Sequence, residues 1–135
     1  MVDLAKLQDD LGTLTIKANE PLSNYTYTKT GGPADLLVFP RSVEQVQRVL
    51  AAVKQENLPL TVLGNASNLI VKDGGIRGLV MILTDMQELV IEGNQLKAAS
   101  GVALIEASRQ AAAAGLTGLE FACGIPGSIG GAIYM

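Results

Sequence analysis

Two short segments rich in glycine and small polar residues carry the clearest potential for ligand chemistry in this chain. The first follows an apolar stretch and reads Leu63-Gly64-Asn65-Ala66-Ser67-Asn68. We expect Gly64 to adopt a positive φ, which would let successive backbone N–H groups point into one concavity and bind an anion without a lysine. The Ser67 hydroxyl and the Asn68 amide would add further donors. An Asx-rich turn between two strands explains the same residues about as well.

The second segment is denser in glycine and reads Gly124-Ile125-Pro126-Gly127-Ser128-Ile129-Gly130-Gly131. Glycines at this density would let a ligand approach the backbone closely. Pro126 is well placed to start a helix, since its missing N–H is not needed there. A helix beginning near Gly127 would direct its N-terminal N–H groups at an anion. The alternative interpretation is close packing of one backbone segment against another.

Neither segment is a standard nucleotide motif. The pattern G-x-x-x-x-G-K-[ST] of the P-loop is absent from the sequence, and the second segment spaces its glycines G-x-x-G-x-x-G. It also lacks the strand-helix unit and later acidic residue of a Rossmann dinucleotide site. Two glycine loops without basic residues would still suit a pyrophosphate, because backbone dipoles would carry the charge. The apolar surroundings would suit a flat aromatic ring.

Several kinds of catalytic or metal site are excluded by residue counts. The sequence has no histidine, so a Ser-His-Asp or Cys-His unit cannot be built from this chain alone. Cys123 is its single cysteine, so neither an intrachain disulfide nor a zinc cluster can form, and we expect no metal site. We interpret Cys123 as a small buried core residue rather than a redox residue.

Composition and charge bound the class of protein. The 135 residues fit one compact domain or two small lobes that share a core. A net charge of −3 argues against a nucleic-acid partner or an anionic membrane surface. No apolar run reaches the roughly 18 residues that span a bilayer, and the first residues do not resemble a secretory signal. We therefore expect a cytoplasmic protein without a membrane partner; the oligomeric state is left open.

Hydrophobic periodicity predicts the elements that must position the two segments. It indicates helices at residues 3–11, 43–56 and 102–114, and strands at 14–18, 34–39, 60–63, 69–71, 79–83, 88–92 and 96–99. Ser42 and Gln45 form a capping box. The apolar face of the second helix is assigned to the core, and it is marked by Val43, Val46, Val49, Leu50 and Val53. This order is not a regular alternation of strand and helix, which favours an α+β fold over a doubly wound sheet. We place a lobe boundary near Thr84, giving lobes at 1–84 and 85–135.

The C-terminal residues also carry information. The sequence stops at Met135, inside the apolar segment that begins at Gly130. Natural C-termini are usually polar and frayed. We therefore expect this end to be a cut made inside a longer protein.

Four segments, in this order, resemble the UDP-N-acetylenolpyruvoylglucosamine reductase family. They are YTYTKTGGPAD at 25–35, LGNASNLIV at 63–71, DGGIRG at 73–78 and GLEFACGIPGSIGGA at 118–132. The resemblance covers nearly everything from about residue 20 onward. It implies a two-lobed FAD-binding domain of the vanillyl-alcohol-oxidase type, truncated before a substrate domain.

The resemblance also implies how FAD lies between the lobes. Residues 64–68 would wrap its pyrophosphate from one side, while residues 124–128 and Gly130 would approach the pyrophosphate and the flavin from the other. The cofactor-binding residues expected on this basis are Leu63, Gly64, Asn65, Ala66, Ser67, Asn68, Gly124, Ile125, Pro126, Gly127, Ser128 and Gly130.

The reaction implied by the family has two hydride transfers. NADPH reduces FAD, and the reduced flavin passes hydride to the enolpyruvyl double bond of a UDP-sugar, giving UDP-N-acetylmuramate for peptidoglycan synthesis. The family's catalytic arginine, serine and glutamate would lie beyond Met135, so we assign no catalytic residue. We expect this chain alone to bind flavin weakly or not at all, and to be inactive.

Two other functions fit the same segments. The chain could be the FAD domain of a different flavin oxidoreductase of this fold, although many of those attach FAD covalently through a histidine, which is absent here. It could also be a stand-alone nucleotide-binding module, against which the apolar C-terminal end argues.

Overall fold

The strands and helices alternate irregularly along the chain. A computed structural model describes residues 2–135. Its strands are β1 (Lys17–Pro21), β2 (Pro33–Val38), β3 (Leu60–Leu63), β4 (Ile76–Ile82), β5 (Leu89–Glu92) and β6 (Gln95–Ala98). Its helices are α1 (Leu4–Leu11), α2 (Val43–Gln55), α3 (Leu104–Ala113) and α4 (Ile129–Tyr134). The mixture of a four-stranded sheet and a separate hairpin confirms the α+β class.

Helices α1 and α2 begin at side chains that accept hydrogen bonds from their first backbone N–H groups. The carboxylate of Asp3 accepts hydrogen bonds from Ala5 and Lys6 at 3.1 and 3.2 Å, which caps α1. The hydroxyl of Ser42 accepts from the N–H of Gln45 at 3.2 Å, and the Gln45 side chain accepts from the N–H of Arg41 at 2.7 Å. The predicted capping box at α2 is thus present, with its return bond made to the residue before the cap.

The main sheet has the strand order β1-β2-β4-β3. β2, β4 and β3 are parallel, whereas β1 runs antiparallel to β2 at the edge. α2 connects β2 to β3, which leaves room for β4 between them. β5 and β6 form a separate antiparallel hairpin with Glu92 paired to Gln95, as the Gly93-Asn94 turn predicted.

Each face of the sheet carries its own hydrophobic cluster. Leu79 and Met81 of β4 point to the cluster beneath α1 and α2, whereas Val80 and Ile82 point to the opposite cluster. The opposite cluster is covered by Leu69 and Val71, which belong to the connection from β3 to β4. This connection, residues 64–75, therefore lies across one face of the sheet after leaving the carboxyl end of β3.

Three expectations about these elements are wrong. Residues 69–71 are not a strand, because their apolar side chains pack onto the sheet from an irregular segment. The first strand begins at Lys17 rather than at residue 14. The buried face of α2 is narrower than expected, because Val43 and Leu50 are 59% and 46% exposed. Burial follows the stripe through Val49 and Val53. Leu50 lies outside this stripe because it is rotated about 100° from Val49 around the helix axis.

The connection from β3 to β4 is fixed at its far end by contact between two glycine turns. A Cβ built on Gly32 would lie 1.9 Å from the carbonyl oxygen of Asp73, and one built on Gly75 would lie 1.9 Å from that of Pro33. Arg77 donates to the Gly74 carbonyl at 2.8 Å and pairs with Asp35 at 2.6 Å. The turn is therefore held against the start of β2.

Candidate cofactor-binding site

The first glycine loop, residues 64–68, leaves the carboxyl end of β3. Ligands of open sheets with parallel strands bind at this edge, where the loops that follow the strands meet. Leu63 is the last residue of β3, and its carbonyl accepts from the N–H of Leu83 at 2.9 Å. The loop therefore begins at a point held within the sheet and continues into the connection that covers it.

The backbone of this loop differs from the sequence-based expectation at one residue. Gly64 does not adopt a positive φ; the left-handed residue is Ala66, with φ 53°. The Asn65 side chain accepts from the N–H of Ser67 at 3.3 Å, so the Asx turn of the alternative interpretation is also present. A left-handed residue within a tight turn directs neighbouring N–H groups toward one side, which is the geometry of an anion-binding nest.

Several backbone N–H groups of this loop have no protein acceptor. Among residues 2–135, those of Gly64, Asn65, Ala66 and Asn68 make no hydrogen bond to the chain. Backbone donors are strong and are normally satisfied by protein, solvent or a ligand. Four such donors within five consecutive residues leave this loop with unused capacity to bind an anion.

The second glycine loop, residues 124–128, lies between a 3₁₀ turn at Glu120–Ala122 and α4. Helix α4 starts at Ile129, and Ser128 caps it by accepting from the N–H of Gly131 at 3.2 Å. The helix expected near Gly127 is present, but Pro126 precedes the cap instead of occupying the first helical position. The reason is that the Ser128 hydroxyl supplies the cap.

The glycines of the second segment have different structural roles. The N–H of Gly130 donates to the Ser100 carbonyl at 2.8 Å, and a Cβ built there would lie 2.9 Å from the Cβ of Ser100. Close backbone packing therefore explains Gly130. No described atom lies within 4 Å of a Cβ built on Gly124, and the nearest atom to one on Gly127 is 3.8 Å away. The loop itself is open.

The second loop also has unused donors. Within the described residues, the N–H groups of Gly124, Gly127 and Ser128 find no protein acceptor. Neither 63–68 nor 124–131 contains a charged side chain. Any anion bound here would therefore be held by backbone dipoles, as the sequence suggested.

The two loops contact each other. Ser67 donates its hydroxyl hydrogen to the Pro126 carbonyl at 3.2 Å across 59 positions of sequence. Gly64 faces the buried hydroxyl of Ser128, since a Cβ built on Gly64 would lie 2.6 Å from that Oγ. The structure thus brings the predicted site residues of both segments together. The sequence did not predict that Ser67 would contact the Pro126 carbonyl or that Gly130 would contact Ser100. No local pattern reveals contacts between residues so far apart along the chain.

Cys123 is exposed, which contradicts its interpretation as a core residue. It lies at the end of the 3₁₀ turn, where its neighbour Ala122 is fully buried and points inward instead. A turn offers no regular periodicity from which the inward position could be chosen.

A separate cavity lies near the antiparallel edge of the sheet. Its volume is about 610 Å³, and its lining includes Lys17, Tyr25, Phe39, Arg41 and Asp85 but no residue of either loop. Lys17 donates to the Tyr25 hydroxyl at 3.0 Å, and this hydrogen bond is the main cause that raises the pKa of Lys17. These polar groups are therefore already engaged with one another.

Residues 2–135 contain neither a candidate membrane-spanning helix nor a cluster of possible metal ligands. None of the helices in this part of the chain is both long and apolar enough to cross a membrane. Over the same residues, His, Cys, Asp and Glu side chains do not gather in groups of three or more that could hold a metal ion.

Two relatives of this chain carry the same name. It is 58% identical over 123 residues to the UDP-N-acetylenolpyruvoylglucosamine reductase of Latilactobacillus sakei, covering 91% of this chain and 41% of that protein. It is 56% identical over 129 residues to the protein of the same name from Pediococcus pentosaceus, covering 96% and 43%. The chain thus spans about two fifths of the length of these relatives.

Solved structures show the same fold. The UDP-N-acetylenolpyruvylglucosamine reductase (MurB) of Thermus caldophilus is 33% identical, with a TM-score of 0.69 over 89% of this chain and 41% of that chain. A cholesterol oxidase variant from Brevibacterium sterolicum is 13% identical, with a TM-score of 0.63 over 89% and 24%, and shows the fold alone. The fold is the FAD-binding type of the vanillyl-alcohol-oxidase flavoproteins.

A family described as "FAD binding domain" matches residues 34–135, which include both glycine loops and their contact. This match covers most of the chain. The open backbone donors and the absence of charged groups in both loops agree with a pyrophosphate-containing ligand. The chain belongs to the FAD-binding domain family.

Proposed function

We propose that this chain is the FAD-binding part of a reductase that uses NADPH to convert UDP-N-acetylglucosamine enolpyruvate to UDP-N-acetylmuramate. The observation that carries the proposal is that two glycine loops meet and that seven of their N–H groups have no acceptor within residues 2–135. Its support from relatives is the 58% identity to a reductase of that name. On this proposal the protein acts in the cytoplasm on a UDP-sugar.

The loops fit a pyrophosphate for a physical reason. A pyrophosphate presents several acceptor oxygens, and N–H groups arranged around one concavity can bind them without a counter-charge. The first loop would contribute the N–H groups of Gly64, Asn65, Ala66 and Asn68. The second would contribute those of Gly124, Gly127 and Ser128. Leu63, Ile125 and Gly130 would shape the site. The N–H of Gly130 would not bind the pyrophosphate, because it already donates to the Ser100 carbonyl.

The Ser67 hydroxyl has a narrower role than its sequence position suggested. Its hydrogen is donated to the Pro126 carbonyl, so only its oxygen lone pairs are free. Ser67 would therefore hold the two loops together rather than donate to the cofactor. The contact would join the proposed lobes at 1–84 and 85–135.

Bound FAD would supply the redox chemistry, accepting hydride from NADPH and passing it to the enolpyruvyl group. This chain would bind the pyrophosphate and fix the cofactor's orientation. We place no catalytic residue on it. Because it spans about two fifths of its relatives' length, we expect it to show no NADPH-dependent reduction of the UDP-sugar by itself, and turnover would contradict this assignment.

An FAD titration of the 135-residue chain, followed by quenching of flavin fluorescence, tests the proposal. We expect saturable quenching that ADP reverses, because ADP carries the pyrophosphate. Riboflavin lacks that group and is the matched control, for which much weaker quenching is expected. A folded chain that quenches riboflavin and FAD equally, or neither of them, would contradict the pyrophosphate site.

A further inference from the structure

One serine lies at the contact between the two loops. Ser128 is only 2% exposed, caps α4 through Gly131, and forms an isolated antiparallel bridge with Ala103. Its hydroxyl also faces Gly64, which belongs to the other loop. Ser128 therefore contacts three parts of the molecule: its hydroxyl meets Gly131 and Gly64, and its backbone pairs with Ala103.

We propose that Ser128 is a positioning residue whose hydroxyl sets the spacing between the two glycine loops through its contact with Gly64. Its effect on FAD rests on the proposed function, but the contact itself does not. The hydroxyl would not contact the cofactor itself; it would act by holding the neighbouring N–H groups in position. Loop spacing would then decide whether both loops can bind the same pyrophosphate.

The contact is specific to the hydroxyl oxygen. A Cβ built on Gly64 would lie 2.6 Å from the Ser128 Oγ, a distance that real contacts do not reach, but 3.7 Å from the Ser128 Cβ, which is ordinary van der Waals contact. The clash that Gly64→Ala creates should therefore vanish when the oxygen is removed. The Ser128 hydroxyl could not rotate away from an added Cβ without cost, because rotation would break the hydrogen bond that it accepts from the N–H of Gly131 at the start of α4.

A second link makes the spacing sensitive to displacement. Ser67 holds Pro126 by a hydrogen bond of 3.2 Å, so residues on both sides of the interface are in contact. If Ser128 moved away from Gly64, the N–H groups of Gly127 and Ser128 would move with it. Donors fixed before binding lower the ordering cost of association, so separation of the loops should weaken affinity.

A double-mutant cycle of Gly64→Ala and Ser128→Ala tests the proposal. Four versions of the 135-residue chain would be compared by urea unfolding without ligand and by FAD titration. We expect Gly64→Ala to weaken FAD binding about tenfold or more. Ser128→Ala should weaken it less, because removing the hydroxyl introduces no clash and costs mainly the cap of α4. The double variant should bind FAD more tightly than Gly64→Ala and unfold at a higher urea concentration.

Gly74→Ala is the matched control, because Gly74 lies outside both loops and no described atom is within 4 Å of a Cβ built there. It should leave FAD affinity unchanged. Additive effects in the cycle would overturn the proposal, as would a rescue of stability without any rescue of affinity. If Gly64→Ala fails to fold, folding of the double variant would count as the rescue. A double variant that also fails to fold would overturn the contact between Gly64 and Ser128.

The same cycle separates this inference from the proposed function. If the unmodified folded chain binds no FAD, the proposed function fails. Unfolding measurements then test the contact alone: recovery of stability in the double variant supports the contact between Gly64 and Ser128, and additivity overturns it.

Discussion

Neighbouring glycines in this chain differ sharply in how much space surrounds them. Gly75 adopts a φ of 72° and faces the Pro33 carbonyl, whereas Gly74 beside it has no described atom within 4 Å of a built Cβ. The difference arises because, of these two glycines, only Gly75 is packed against the start of β2. The sequence Asp73-Gly74-Gly75 indicates a turn but does not say which glycine is required.

We predict that Gly75→Ala destabilises the protein much more than Gly74→Ala. The Gly75 variant combines left-handed strain with a Cβ placed 1.9 Å from the Pro33 carbonyl oxygen. These effects together should lower the free energy of unfolding by about 2 kcal/mol or more. Gly74→Ala should change it by less than about 0.5 kcal/mol. Urea unfolding measures both, and equal losses would contradict the packing described for this turn.

At Cys123 and Gly64, the residue type alone led to a wrong prediction of burial and of backbone conformation, respectively. Free cysteines are usually buried, and this supported a core interpretation of Cys123. In the structure Ala122 takes the inward position and Cys123 is exposed. Gly64 was expected to be left-handed because glycine tolerates that conformation best, yet Ala66 adopts it. The Gly64 position instead excludes a side chain because Ser128 lies against it, which only the folded chain reveals.

Among the elements, α2 shows how local chemistry specifies a boundary. Its N-terminal cap is Ser42, and Glu44 lies in the first turn. The pKa of Glu44 is lowered from its ordinary value of 4.5, first by a hydrogen bond from its own backbone N–H and next by the Ser42 side chain. The charged carboxylate is therefore favoured in the folded state, near the positive end of the helix dipole.

This lowered pKa predicts a pH dependence. Because the folded pKa lies below the unfolded value, Glu44 contributes stability above about pH 4.5, and the contribution is lost as pH falls through the folded pKa. Glu44→Gln should therefore be less stable than the unmodified chain at neutral pH, and the two should converge in acid. Urea midpoints measured between pH 7 and pH 2.5 give the comparison. A difference that persists unchanged in acid would show that the charge is not responsible.

Elements defined by local signals were predictable from sequence. The cap of α2, the helix α1 ended by Gly12 and the hairpin turn at Gly93 depend on neighbouring residues, and all three are present. The error at residues 69–71 has a tertiary cause. A short apolar run covering a sheet has the same pattern as a buried strand, so periodicity cannot separate them.

At the scale of the whole molecule, the sheet brings together loops that are far apart in sequence. The first loop starts at the carboxyl end of β3, and the second is fixed by the bonds of Gly130 to Ser100 and Ile129 to Val102. Composition and spacing identified each loop as a possible anion site, and the family resemblance alone assigned both to FAD. That Ser67 would reach Pro126 across 59 positions could not be predicted, because no local pattern specifies contacts between residues so far apart in sequence.

The central claim is that unpartnered N–H groups of the two loops bind a pyrophosphate. Residue-resolved ¹H–¹⁵N spectra of the chain, recorded during an ADP titration, test it most directly. We expect the largest amide shifts at Gly64, Asn65, Ala66, Asn68, Gly124, Gly127 and Ser128, with saturation at one common dissociation constant. Amides of the hairpin β5–β6 should not move. Shifts centred instead on the cavity lined by Lys17 and Arg41, with both loops unchanged, would contradict the account.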